Sequence, residues 1–255
     1  MPMNMPKTEA PPPMLAKATR DKLMGVGTAN IANALLKHGL RNTYLLGIAP
    51  LSLDQPQMVG PAFTLRFIPS REDVDSLANY SRSDNLHRRA IEECPPGHVL
   101  VIGTAGNVSA SSAGDLMAGR LKKRGVAGVV TEGGYRDTVG IRRTGLPAYQ
   151  YRTAPPATPI AMHPVELNCP IGCAGVAVYP DDVLVGDGEG VVVIPRHLVD
   201  EVADDAFAAV EYEAFAEMQI ARGRTLFEVF PATAESRREY ERWVADGRPA
   251  QEKST

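Results

Sequence analysis

Cysteine is scarce in this chain. Cys94, Cys169 and Cys173 are too few for a disulfide framework. Such a count fits a reducing compartment, which makes the cytoplasm the expected location. Three residues separate Cys169 from Cys173, a spacing that can suit a metal. No second Cys or His cluster pairs with them, so they read as small apolar residues in a turn. An excess of one charge is also missing. The 27 Lys and Arg against 30 Asp and Glu leave a net charge of −3. That balance gives no footprint for nucleic acid or an anionic membrane, and neither is expected as a partner. No apolar run approaches the roughly 18 residues that span a bilayer. The Pro- and Met-rich start, Met1 to Pro13, lacks the apolar stretch of a signal peptide and reads as a tail. There is no Ser-His-Asp order, nucleophile elbow or dinucleotide fingerprint. Gly186 to Gly190 is Gly-rich but lacks the Lys-Ser/Thr of a phosphate loop, so it reads as a hairpin turn.

What is present is enough apolar residue for one sizeable core: 44% of 255 residues. The division expected is a flexible tail over 1–14, one domain over 15–231, and a polar extension over 232–255. Leu15 to Gly39 reads as helical, with Thr28 a plausible N-cap and Gly39 a plausible C-cap. His38, in the last turn, favours the helix dipole. Met58 to Pro69 alternates Phe63, Leu65 and Phe67 on one strand face. Asn85 to Cys94 reads as a helix, and His98 to Gly103 as a buried strand. Thr104 to Gly114 is small and polar and reads as a loop. Val183 to Pro195 gives two strands, and a long acidic helix runs from His197 to Ala221.

The chain is organised around Gly114 to Asp137. A helix starts near Asp115 and ends with Arg120, Lys122, Lys123 and Arg124, a cationic end that suits its dipole. A short apolar strand, Val126 to Val130, follows. A Gly-rich loop then carries Arg136 and Asp137. Ligand sites in open α/β sheets gather beyond the carboxyl ends of strands, where this pair falls. Twenty residues separate Asp115 from Arg136. Asp115 serves either as a helix cap or as part of a site. The helix N-terminus at Gly114, Asp115, Leu116 and Met117 offers unpaired N–H donors to a carboxylate or phosphate. One or two carboxylates with waters suit a hard cation such as Mg²⁺. A 2-oxo acid chelated by that cation would develop an enolate oxygen beside Arg136. Such an electron sink serves retro-aldol cleavage or β-decarboxylation.

These residues resemble the RraA-like family, which includes the class II 4-hydroxy-4-methyl-2-oxoglutarate aldolases and the regulator of ribonuclease activity A. The resemblance rests on Gly114 to Ala118 and on Arg124 to Asp137. It extends to Gly60 through Arg66 and Gly186 through Pro195, and covers about Leu15 to Pro231. It implies an α/β, three-layer β/β/α swivelling-domain-like fold with a C-terminal helix. A homotrimer or homohexamer with sites between subunits is also implied. On this resemblance Asp137 holds Mg²⁺ or Mn²⁺ and Asp115 acts through a metal-bound water. Arg136 binds the pyruvyl oxygen, and N–H groups near Leu116 and Met117 hold the pyruvyl carboxylate. A glutamate from a neighbouring subunit's C-terminal helix completes the family's aldolase site; Glu211 and Glu213 are the nearest matches. The implied activity is metal-dependent carbon–carbon lysis of a 2-oxo acid, by aldol cleavage or oxaloacetate decarboxylation. The alternative is a protein-binding regulator of a ribonuclease. Glu132 stands where the family usually has Asp, and Tyr135 replaces a smaller residue.

Overall fold

Apolar side chains on both faces of a strand require cover on both faces, and the longest runs here are covered that way. The computed structural model describes residues 14–248; of the tail expected over 1–14, residues 1–13 lie outside the described residues. Along the chain come α1 (Lys17–Leu23), α2 (Thr28–Lys37), β1 (Ala49–Pro50), β2 (Met58–Pro69), α3 (Leu77–Tyr80) and α4 (Leu86–Glu93). Then follow β3 (Val99–Gly103), β4 (Ser111–Ala113), α5 (Asp115–Lys123), β5 (Gly128–Thr131), β6 (Gly134–Tyr135) and α6 (Thr138–Thr144). The middle of the chain supplies β7 (Ala148–Gln150), β8 (Arg152–Thr153), β9 (Met162–Leu167), β10 (Ile171–Cys173) and β11 (Val176–Val178). Strands β12 (Val183–Asp187) and β13 (Gly190–Ile194) precede α7 (Val199–Ala221), α8 (Leu226–Val229) and α9 (Ala234–Ala245).

The main sheet is mixed, in the order β1-β7-β5-β3-β2-β12-β13. The middle of β2 pairs parallel with β3, while its opposite edge pairs antiparallel first with β12 and then with β9. One run of chain nearly closes this sheet into a barrel. Leu45 N–H donates to Val191 O at 2.9 Å, and Val193 N–H donates to Thr43 O at 2.8 Å. A few residues on, β1 pairs with β7 on the far edge. Period-two alternation then sorts each strand. Val99 and Val101 fill the barrel with Leu184, Val191 and the β10–β11 hairpin. Leu100 and Ile102 face α4, α5 and α6. On the far side Val183, Val185 and Val192 lie under α1, α2 and α7.

Four local expectations are corrected. Leu15 to Gly39 is two helices, because the chain turns at Gly25 and Gly27. Gly27, not Thr28, is the N-cap of α2. The α2 end is held instead by Asp187, which accepts from Thr28 N–H at 2.7 Å and Thr28 Oγ1 at 2.9 Å. That contact gives the Gly-rich turn a structural task. Thr104 to Gly114 is not all loop, since Ser111 to Ala113 form the buried strand β4. The polar extension also contains the helix α9, whose Tyr240 and Trp243 pack on Tyr212 and Phe215 of α7. The cysteines are buried and free, as expected of small apolar residues. His38 pairs with Asp205 at 3.2 Å.

Candidate active site

A second, small parallel sheet, β4-β6-β8, sits at the carboxyl end of β5 and aims the site residues. Its strands are short because β5 must release the chain there. Buried hydroxyls fasten the release point. Ser112 Oγ donates to Thr131 Oγ1 at 3.0 Å and lies 3.1 Å from Gly134 O. Gly133 N–H donates to Thr131 Oγ1 at 3.0 Å. Gly134 has no room for a side chain, because a Cβ there would stand 2.4 Å from Arg152 O. Glu132 closes the arrangement from below. Its Oε1 accepts from Thr104 N–H at 2.9 Å and Gly106 N–H at 3.2 Å, and its Oε2 accepts from Ala174 N–H at 2.8 Å. Tyr135 is fully buried beside this loop, and burial pushes its hydroxyl well above the usual range.

From β6 the chain passes directly to Arg136 and Asp137. Arg136 N–H donates to Ala113 O at 3.1 Å, which ties the pair to the start of α5. Asp137 adopts φ +54° at the N-cap of α6, a left-handed conformation that Asp tolerates better than most residues. Arg136 Nε donates to Asp137 Oδ2 at 3.0 Å. Both side chains are close to half exposed.

Each carboxylate of the site rests on a glycine of the other helix's end. A Cβ on Gly114 would lie 3.0 Å from Asp137 Oδ2 and 3.3 Å from Arg136 Cγ. A Cβ on Gly140 would lie 2.5 Å from Asp115 Oδ2 and 2.7 Å from Asp115 Cβ. The two glycines therefore let α5 and α6 bring Asp115, Arg136 and Asp137 together. Gly114 is the N-cap of α5, and the Asp115 side chain does not cap that helix. The first three N–H groups of α5, on Asp115, Leu116 and Met117, have no intrahelical partner by helix geometry.

These groups share one cavity of about 340 Å³. Gly114, Asp115, Leu116, Met117, Arg136 and Asp137 all line it. Glu211 and Glu213 do not. Glu211 pairs with Arg248, and Glu213 accepts from Asn30 Nδ2 at 2.7 Å. The far wall was not foreseen from sequence: Tyr80, Ser111, Thr158 and Pro159. Tyr80, an aromatic ending a polar stretch, was a signal, as was Gly140, a glycine inside a helix. His87 lies fully buried behind Tyr80 and donates from Nε2 to Ser112 O at 2.7 Å, with burial lowering its pKa to about 4. Among the described residues no group of three or more His, Cys, Asp or Glu is placed to hold a metal.

A mixed α/β barrel-like sheet with an acid–arginine cavity at its strand ends defines the class, and comparison places it. The RraA-like family model, described as Aldolase/RraA, matches residues 28–193, so the chain belongs to that family. A protein of Halalkalibacterium halodurans, named provisionally as a 4-hydroxy-4-methyl-2-oxoglutarate aldolase, is 34% identical over 162 residues. That match covers 62% of this chain and 69% of the relative. Protein DlpA of Legionella pneumophila is 28% identical over 205 residues, 80% of this chain but 32% of its own length. The match thus spans about a third of DlpA. The crystal structure of Streptomyces coelicolor RraAS2, described as an unusual member of the RNase ES inhibitor RraA protein family, superposes with a TM-score of 0.70 at 32% identity. It covers 82% of this chain and all of RraAS2.

Proposed function

We propose that this chain is a divalent-metal-assisted carbon–carbon lyase that releases pyruvate from a 2-oxo acid. The substrate is a 4-hydroxy-2-oxo acid, cleaved by retro-aldol reaction, or oxaloacetate, decarboxylated. The observation that carries this reading is the convergence of Asp115, Arg136, Asp137 and the open N-terminus of α5 on one cavity. The relative named as an aldolase supports it.

The donor set fits a hard, largely hydrated cation. It offers exposed carboxylate oxygens and no thiolate or imidazole, and one or two carboxylates with waters are what Mg²⁺ or Mn²⁺ accepts. Asp137 would hold the ion through Oδ1, since Oδ2 faces Arg136. When bound, such an ion supplies Lewis-acid polarisation of the 2-oxo group. The protein does the rest. N–H groups of Leu116 and Met117 receive the substrate carboxylate at the positive end of α5. Asp115 takes the proton of the 4-hydroxyl, and the C3–C4 bond breaks as C4 becomes a carbonyl. The bonding pair moves into the C2–C3 bond, and charge collects on the C2 oxygen. The guanidinium of Arg136 stabilises that charge. Protonation at C3 then yields pyruvate. In an oligomer, Glu211 or Glu213 of a neighbouring subunit would complete the site.

The test is pyruvate formation from oxaloacetate and from 4-hydroxy-2-oxo acids with Mg²⁺ or Mn²⁺, with the metal-only rate subtracted. Enzyme-dependent release abolished by EDTA is expected, and release at the background rate from every substrate would sink the reading. Gly140→Ala supplies a sharper check. Alanine is the better helix former by about 1 kcal/mol, so α6 itself should not suffer. The new methyl collides with Asp115, and a base moved by about 1 Å loses on the order of 100-fold in kcat. A Gly140→Ala variant with wild-type kcat would mean that Asp115 is not the base.

Likeness to RraAS2 favours a second reading, a protein-binding regulator of a ribonuclease. Co-elution of the purified chain with RNase ES on size exclusion would support it. Separate elution across micromolar concentrations would remove it.

A further inference from the structure

Beside the catalytic cavity lies a second cavity of about 280 Å³, and both are lined by Tyr80, Thr158 and Pro159. Tyr80 is the bulky member of that shared wall. Its ring centroid stands 5.9 Å from that of His87, which lines the second cavity. Burial raises the Tyr80 hydroxyl, and the charge of Arg136, then that of Arg88, offsets part of the rise. The side chain thus touches His87 on one side and shares the lining of the first cavity with Arg136.

The charged groups of the second cavity are already spent on one another. Arg82 forks onto Asp84, with Nε to Oδ1 at 2.9 Å and Nη2 to Oδ2 at 2.6 Å. Asp75 takes His163 Nδ1 on Oδ1 at 2.5 Å and Arg71 N–H on Oδ2 at 2.9 Å. Among the described residues lining this cavity, one buried side-chain polar atom has no partner. His87 uses Nε2 on Ser112 O, which leaves Nδ1 as a lone-pair acceptor, buried and without a partner. A buried acceptor without a donor is costly, and a ligand hydroxyl that reached it once the Tyr80 ring was removed would satisfy it. A second carboxylate on the ligand would have to compete with Asp84 for Arg82 and with Asp75 for His163.

Resting on the lyase reading above, we infer that Tyr80 is a specificity-determining partition. It confines the wild-type site to 2-oxo acids with short tails and shuts off a chamber suited to an uncharged, hydroxyl-bearing tail. The dicarboxylate for which the aldolase relative is named is not what this second chamber fits.

The experiment compares the wild type, Tyr80→Ala and Tyr80→Phe on three probes. These are 4-hydroxy-2-oxopentanoate, 4,5,6-trihydroxy-2-oxohexanoate and 4-hydroxy-2-oxoglutarate. Because one methylene changes pocket discrimination by about tenfold or more, Tyr80→Ala should raise kcat/KM for the trihydroxy acid at least tenfold relative to the pentanoate. The glutarate should gain less, and Tyr80→Phe should keep the wild-type ratios. Unchanged ratios in an active Tyr80→Ala variant, or an equal gain for the glutarate, would overturn the inference. If the wild type releases no pyruvate at all, it is the lyase reading that has failed. The partition is then read by calorimetric binding of 2-oxohexanoate against pyruvate. Tighter relative binding of the longer acid in Tyr80→Ala supports it, and an unchanged ratio refutes it.

Discussion

Arg136→Ala is expected to lower kcat for pyruvate release by about 10²–10³-fold, the loss that follows removal of one preorganised donor to a developing oxyanion. Arg136 Nε is committed to Asp137 at 3.0 Å, and no described residue holds its Nη groups. Both partners are close to half exposed, so the ion pair itself contributes little to folding. Thermal stability should therefore stay within about 1 kcal/mol of wild type while turnover collapses. Arg136→Lys keeps the charge but loses the planar fork, and should recover only a small part of the rate. A matching fall in melting temperature and activity would assign Arg136 a structural role and count against the enolate chemistry.

Glu132→Ala is expected to cost about 3 kcal/mol or more of folding stability, read as a shift in the urea midpoint at unchanged slope. Three backbone N–H groups, on Thr104, Gly106 and Ala174, would lose their acceptor together. Each such orphan costs on the order of 1–3 kcal/mol where water cannot replace the lost oxygen. The segments it holds are otherwise poorly supported, since Ala105 and Ala174 both sit at positive φ. Glu132→Asp is shorter by one methylene and cannot span all three donors, so it should fall between the wild type and alanine. That reach gives a physical reason for Glu at this position. A Glu132→Ala variant as stable as wild type would show that solvent serves those donors equally well.

Much of the site was legible before any coordinates. The helix–strand–loop order from Gly114 to Asp137 follows from an apolar run bounded by glycines, and the structure repeats the helix and strand as α5 and β5 but places the short strand β6 within the expected loop. Asp115, Arg136 and Asp137 were readable because few other charged residues stand at a strand's carboxyl end. What brings them together was not readable. Gly140 passes as a poor helix residue until Asp115 is seen lying over it. Ser111 and Ser112 look like loop, because small polar residues carry no alternation. Their burial depends on Thr131, Gly134 and Pro156, 19 to 45 residues away. The wall at Tyr80 and Thr158 joins segments that only the β2–β9 pairing brings close. The break at Gly25 to Gly27 was hidden by apolar residues that continue on both sides, and α2 is capped by Asp187, 159 residues on.

The central question is whether this protein stabilises the enolate of pyruvate, whatever carbonyl compound or CO₂ leaves with it. Pyruvate in D₂O with Mg²⁺ or Mn²⁺ poses that question without any choice of substrate. Proton NMR would follow the methyl signal with protein, without protein, and with Asp137→Ala. Loss of the methyl protons that requires protein and metal, and that Asp137→Ala and EDTA both abolish, is the predicted result. Exchange no faster than metal alone would contradict the enolate mechanism and move the ribonuclease-regulator reading to the front.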